Sequence, residues 1–207
     1  MGDLTLYAMP SSGNSYKVQL LLALLGRACT QIRCEHLSDA LAQAKAAGAL
    51  PLGKVPALHL PDGTILSESG AILWYLAQQT PFLPQDPLAQ AKILGWMFFE
   101  QNRMEAVIAV RASLRCYPDR AADATPERLA ALLAEGHALL AIVEAHLTGG
   151  RTWLVGDSAT VADIAIYGYT HSSGARGGFD MTRFPALQAW CARVAGLPGY
   201  IPLQAPA

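Results

Sequence analysis

The sequence predicts an α+β chain of two domains: a small N-terminal domain in the order βαβ-α-ββα, then an all-α helical bundle. Three observations predict it. Residues 1–79 alternate short apolar runs with segments of helical spacing. The stretch Thr80-Pro81-Phe82-Leu83-Pro84-Gln85-Asp86-Pro87 places three prolines in eight positions, the pattern of a linker. Residues 88–207 keep a helical period with no strand signal. A length of 207 residues suits two small domains.

Leu4 to Ala8 reads as a short apolar strand, and Pro10-Ser11-Ser12-Gly13-Asn14-Ser15 as turn chemistry. Tyr16 to Leu25 reads as a helix, because Val18, Leu21, Leu22 and Leu25 share a face and Gly26 ends it. Thr30 to Glu35 is a second strand, and the Ala-rich run Asp39 to Ala47 a second helix. Val55 to Leu60, the turn Pro61-Asp62-Gly63 and Thr64 to Leu66 form a hairpin. Gly70 to Gln78 is the helix that closes the domain. Beyond the linker the pattern predicts helices over Leu88–Cys116, Thr125–Leu147, Thr160–His171 and Phe184–Ala195, with Pro126 at a first-turn position.

Hydrophobic residues make up 52% of the chain and charged residues 15%, enough apolar surface for a sizeable core. A net charge of −1 offers nothing to grip nucleic acid. The start, Met1-Gly2-Asp3-Leu4, lacks the pattern of a signal peptide. The most apolar run is Val18 to Gly26, short of the roughly 20 residues of a membrane span, so no membrane contact and a cytoplasmic location are expected. Cys29, Cys34, Cys116 and Cys191 are scattered, without a Cys-x-x-Cys, which argues against a disulfide framework. The absence of a His/Cys cluster and of a Gly-rich phosphate loop argues against a metal or nucleotide site.

Three motifs, in register and in order, carry a resemblance. Leu6-Tyr7-Ala8-Met9-Pro10-Ser11-Ser12-Gly13-Asn14-Ser15-Tyr16-Lys17-Val18 is similar to the first strand, active-site loop and first helix of serine-type, theta-like bacterial glutathione transferases. Gly53-Lys54-Val55-Pro56-Ala57-Leu58 and Leu66-Ser67-Glu68-Ser69-Gly70-Ala71-Ile72-Leu73-Trp74-Tyr75-Leu76 resemble that family's glutathione-site core. Trp153-Leu154-Val155-Gly156-Asp157 with Thr160-Val161-Ala162-Asp163 resembles the capping-box region of its helical domain. One departure is Leu50-Pro51-Leu52, where the family often has Asn-Pro-Leu; here the loop must be held by something other than an Asn.

The resemblance implies a thioredoxin-like glutathione-binding domain over 1–79, a linker over 80–87 and a helical domain over 88–207 that shapes the second substrate's pocket. It implies glutathione as co-substrate, a small hydrophobic electrophile as second substrate, and a homodimer. Ser12 is the candidate for the group that donates to the glutathione thiolate, with Ser11 and Asn14 as alternatives. A free thiol of pKa about 8.5 is only a few per cent thiolate at pH 7. Lowering it by about two units makes most of it thiolate, at about 2.7 kcal/mol of differential stabilisation. A hydroxyl hydrogen bond to a charged acceptor supplies roughly 1.5–3 kcal/mol, so one serine at a helix N-terminus is about enough.

By the same resemblance, Val55-Pro56 is a cis bond whose preceding residue pairs by its backbone with the cysteinyl part of glutathione. Ser69 takes the γ-glutamyl carboxylate at a helix N-terminus and Glu68 the ammonium. Lys54 and His36 reach the glycyl end. The second-substrate pocket is expected to draw on Trp96, Phe99, Arg103, Arg111, Arg115 and Tyr117. Reduction of peroxides by the same thiolate stays open, as does a non-enzymatic binding or interaction module on the same fold.

Overall fold

The structure is a computed structural model that describes residues 3–204; Met1 and Gly2, part of the start read above, fall outside them. The chain divides into two compact units, one from the first 80 residues plus the stretch from Ala195 onward, the other Pro81–Val194.

In the first unit, alternation along β1 (Leu4–Ala8) buries Leu6 and Ala8. β1 lies inside a four-stranded sheet of order β2-β1-β3-β4. It runs parallel to β2 (Cys29–Arg33), and antiparallel to β3 (Ala57–His59), which pairs with β4 (Ile65–Ser67). α1 (Gly13–Leu24) supplies the crossover between the two parallel strands. It starts three residues before the apolar spacing does, because Ser12 caps it. α3 (Ser69–Ala77) packs against α1 and buries Ile72, Leu73 and Leu76.

α2 (Asp39–Ala46) is capped by Ser38 and covers an apolar cluster of Cys34, Ala44, Ala49, Leu50 and Ala57. Here lies the answer to the Leu50-Pro51-Leu52 departure. Leu50 is buried in that cluster, and its carbonyl accepts from Gly53 N–H at 2.8 Å. Packing and one backbone bond hold the loop.

The stretch after Ala195 groups with this unit, whereas sequence continuity alone assigns it to the helical domain. The Tyr16 hydroxyl donates to the Ile201 carbonyl at 2.8 Å, and Arg33 to Gln204 at 2.9 Å. Gly199, at φ 87°, lies so close that a Cβ there would stand 2.8 Å from the Ala23 carbonyl oxygen.

In the second unit, the single helix expected over 88–116 is three continuous pieces: α4 (Pro87–Phe99), a π segment (Glu100–Ala109) and α5 (Val110–Cys116). Then come α6 (Pro126–Thr148), α7 (Val161–Thr170) and α8 (Pro185–Ala195). Short turns at Pro118–Asp123, Ser173–Gly177 and Met181–Arg183 escape sequence reading because each is too brief to show a period. α6 is, among the described residues, the one helix long and apolar enough to cross a bilayer, a feature the nine-residue run at Val18–Gly26 did not disclose. Glu127, Arg128, Glu135 and Glu144 interrupt it. Both carboxylate oxygens of Glu144 accept N–H bonds at the start of α8, from Ala186 at 3.0 Å and Leu187 at 2.7 Å.

α7 is buried along nearly its whole length, and Asp163 at its third position is fully buried. Thr160 and Asp163 form the expected capping box. The carboxylate accepts from Thr160 N–H at 2.8 Å, Thr160 Oγ1 at 3.0 Å, Leu154 N–H at 3.0 Å and Trp190 Nε1 at 2.9 Å. One side chain thus ties the 153–157 loop, the start of α7 and α8 together.

Phe179 is wedged between two glycines. A Cβ on Gly136 would meet its ring at 2.3 Å and one on Gly177 at 2.6 Å. Gly136→Ala gains about 1 kcal/mol of helix propensity but overpacks a rigid ring, which costs roughly 1–3 kcal/mol. The expected result is a lower Tm by calorimetry; a raised Tm would show that the ring moves aside at no cost.

His137 Nε2 accepts from Asp180 N–H at 3.1 Å, and its ring meets those of Phe179 and Phe184. Burial first, and the Arg183 charge second, hold its pKa below the ordinary value. Burial does the same to His171. The unfolded chain therefore takes up protons near pH 6.5 that the folded chain does not. Stability is full above that pH and falls as pH drops from about 6.5 toward the folded values. Denaturant midpoints for wild type and His137→Gln should converge as the pH is lowered from 7 to 5.

Candidate active site

Two helix N-termini come together at one end of the sheet. α1 opens at Ser12, whose extended backbone (φ −85°, ψ 129°) lets its hydroxyl accept from Ser15 N–H at a long 3.5 Å. The loop before it is pinned by Ser12 N–H on the Met9 carbonyl and by Met9 N–H on the Ser15 hydroxyl, both at 3.0 Å. α3 opens at Ser69, whose hydroxyl donates to Asn14 Oδ1 on α1 at 3.3 Å. The same Asn14 oxygen accepts from Lys17 Nζ at 2.7 Å. Lys17 is 1% exposed, so a buried ammonium sits beneath the two helix ends.

The three candidates for the thiolate donor now differ physically. Ser11 is fully buried and donates to Glu35 Oε1 at 2.6 Å. Asn14 directs its oxygen at Lys17 and Ser69. Ser12 is half-buried and holds one long bond, so its hydroxyl can turn to a ligand at little cost.

Val55-Pro56 is cis, as the resemblance implied. Pro56 is buried, and Val55 packs on the Cys34 cluster. Ala57 stands opposite Ser67 in the β3–β4 pair, so the residues just before Ala57 and just after Ser67 emerge side by side. Those residues are Pro56 and Glu68. Glu68 is exposed at φ 69°, ψ 120°, a backbone that L residues rarely adopt. Such strain costs about 1–3 kcal/mol and persists where the surroundings enforce it. Glu68→Gly should therefore hold or raise the Tm while weakening glutathione binding severalfold in calorimetric titration. A drop in Tm with unchanged binding would mean that the side chain matters to the fold and not to the ligand.

Lys54 stands exposed two residues before Pro56. His36 is half-buried beyond β2, its N–H donating to Glu35 Oε1 at 3.0 Å. Sequence reasoning missed Lys17 and Glu35. Lys17 sits inside a run of residues buried on all sides from Ser15 to Leu22, and an ammonium in such a run is a signal available in hindsight. Glu35 had no such signal; its Oε2 is buried and has no hydrogen-bond partner among the described residues.

The six residues expected to shape the second pocket separate within the helical unit. Trp96 and Phe99 meet edge-on with ring centroids 5.7 Å apart, and Trp96 also meets His146 at 4.8 Å. Arg111 is buried, with Nε donating to the Gly177 carbonyl at 2.6 Å and Nη1 to the Leu129 carbonyl. Its guanidinium is spent on holding α5 to α6 and to the Ser173–Gly177 turn. Arg115 is exposed and lies over Gly178, Arg103 is exposed on the π segment, and Tyr117 is half-buried at the end of α5. The described cysteines are free thiols, and burial pushes Cys191 up to about 12. That is no environment for a protein thiolate.

Comparison with known proteins agrees with this geometry. Family profiles described as the N-terminal and C-terminal domains of glutathione S-transferase match residues 6–86 and 126–193. A solved glutathione S-transferase from Xanthobacter autotrophicus is 39% identical, with a TM-score of 0.88 over 99% of this chain and 98% of that one. Human glutathione S-transferase theta-1 is 33% identical over 81% of this chain and 70% of its own length. A Pseudomonas fluorescens glutathione transferase family member, solved with two glutathione bound, is 25% identical at a TM-score of 0.81, over 95% and 89% of the two chains. Both halves of the fold, the paired helix N-termini and these matches place the chain in the glutathione S-transferase family.

Proposed function

We propose that the chain is a working glutathione transferase that binds glutathione on its N-terminal unit, stabilises the thiolate with Ser12 and passes it to a small hydrophobic electrophile. The observation that carries the reading is the Ser69–Asn14 bond, which brings the N-termini of α1 and α3 together over the buried Lys17 ammonium. Helix N-termini and a cation favour an anion, and glutathione is an anionic tripeptide. Ser69 and the free N–H groups of α3 receive the γ-glutamyl carboxylate, and Glu68 its ammonium. Val55 pairs by its backbone with the cysteinyl residue, while Lys54 and His36 face the glycyl end. The thiol then arrives at Ser12, where the hydroxyl donates to the sulfur as its proton leaves to solvent. The sulfur, not the serine, attacks the electrophile, forming the carbon–sulfur bond as the leaving group departs.

Residues 1–79 serve the glutathione site in this reading, 80–87 link, and the helical unit shapes the second pocket, to which Trp96, Phe99, Arg103, Arg115 and Tyr117 remain the candidates. The protein acts as a homodimer in the cytoplasm. Thiolate absorbance of bound glutathione, followed against pH beside conjugation of a halogenated nitroaromatic, tests the proposal. Ionisation about two units below the free thiol, with conjugation following the same curve, is the expected result. Binding without ionisation would make the protein a glutathione carrier, and no binding would leave only the fold in common.

A further inference from the structure

Asn14 joins the N-termini of α1 and α3, and the donors around it fix the direction of its amide. Lys17 Nζ, a group that can only donate, lies 2.7 Å from Oδ1, so the oxygen and not the amide nitrogen faces the ammonium. Ser69 Oγ donates to the same oxygen at 3.3 Å. The two bonds are unequal. The first is at the short end of the range for N–H···O and carries a full charge; the second is longer than an ordinary O–H···O bond. Lys17 is 1% exposed and Ser69 4%, so both bonds lie away from bulk water.

We infer that Lys17 is a positioning residue of the γ-glutamyl subsite: by holding the Asn14 oxygen it lets the Ser69 hydroxyl turn its one proton to the carboxylate of glutathione. This rests on the glutathione site proposed above and adds a residue to it.

A serine hydroxyl has a single O–H. In the ligand-free chain that proton goes to Asn14, yet an anion seated at the start of α3 draws on the same proton. Turning the hydroxyl takes a donor away from a buried carbonyl oxygen, which is costly unless a second donor stays behind. Lys17 is that donor. It stands three residues after Asn14 on the same helix, so its bond does not depend on what α3 holds. With the ammonium removed, the same turn takes both of these donors from the oxygen. Charge acts in the same direction. Lys17 lies in the second turn of α1, and Asn14 links it to the start of α3; a cation there opposes both helix dipoles, and an anion at the start of α3 offsets it.

The test compares two peptides by calorimetric titration into the full chain: glutathione, and 4-aminobutyryl-cysteinyl-glycine, the same molecule without the γ-glutamyl α-carboxylate. Lys17→Met should weaken glutathione about tenfold, or about 1.4 kcal/mol, and the truncated peptide less than twofold. Lys17→Gln keeps an uncharged N–H donor and should weaken glutathione about threefold, again without effect on the truncated peptide; it decides the same question should Lys17→Met fail to accumulate. In a Ser69→Ala background, where no hydroxyl turns, Lys17→Met should cost glutathione less than a further threefold. Equal weakening of both peptides, or full additivity with Ser69→Ala, would make Lys17 a brace for α1 and overturn the inference while leaving the glutathione site in place. Failure of wild type to bind glutathione would overturn the glutathione reading itself, and the role of Lys17 with it.

Discussion

Ser12→Ala should still bind glutathione but raise the pKa of the bound thiol by roughly one to two units, because a hydroxyl hydrogen bond to a charged acceptor contributes about 1.5–3 kcal/mol. At pH 7 that is a roughly 3- to 25-fold loss in conjugation rate, recovered progressively as the pH is raised. The pH–rate profile is therefore the decisive readout: the limb should shift to higher pH while the plateau moves less. Ser11→Ala should behave differently. Its hydroxyl is buried on Glu35, so its loss should lower stability and leave the thiol's pKa near that of wild type. A Ser12→Ala profile superimposable on that of wild type would move the role to Asn14 or to the backbone N–H groups of α1.

Asp163→Ala should have the larger effect on stability. Four donors converge on that carboxylate in a fully buried position, and truncation leaves all of them unsatisfied. A buried donor left without its acceptor costs about 1–3 kcal/mol, so losing four such bonds removes a large part of the roughly 5–15 kcal/mol that holds a typical protein folded. A fall in Tm of about 10 °C or more is expected, or failure to accumulate as soluble protein. Asp163→Asn keeps one acceptor oxygen and should fall between. Because Trp190 Nε1 donates to the carboxylate, its fluorescence should change in both variants. Glutathione affinity per folded molecule should not. An unchanged melting temperature in Asp163→Ala would refute the role.

The two effects separate cleanly because they rest on different parts of the chain. The proposed role of Ser12 rests on one hydroxyl whose side-chain partner among the described residues is Ser15 N–H at a long 3.5 Å, so its removal should cost the fold little. Asp163 bonds to none of the candidate glutathione residues and acts on the loop before α7 and on α8.

Much of this was legible in the residues. The strand at Leu4–Ala8, the hairpin and the capping box at Thr160 and Asp163 all depend on local chemistry: alternation, turn residues and side-chain oxygens at helix starts. Such signals are written within a few residues of each other. Lys17, Glu35 and Arg111 were misjudged or missed for one reason. Each reads locally as a solvated charge, and each is withdrawn from water by residues distant in sequence: Ser69 joins the Asn14 that holds Lys17, Ser11 caps Glu35, and Gly177 and Leu129 receive Arg111.

Local periodicity and capping chemistry therefore settle which segments are helix and which are strand, and the order of motifs settles the family. Which serine is available to a ligand, which arginine is structural, and that Lys17 and Ser69 share the Asn14 oxygen were decided only in three dimensions. Burial and partnership are properties of a side chain's surroundings, and those surroundings are assembled from residues the local sequence cannot see.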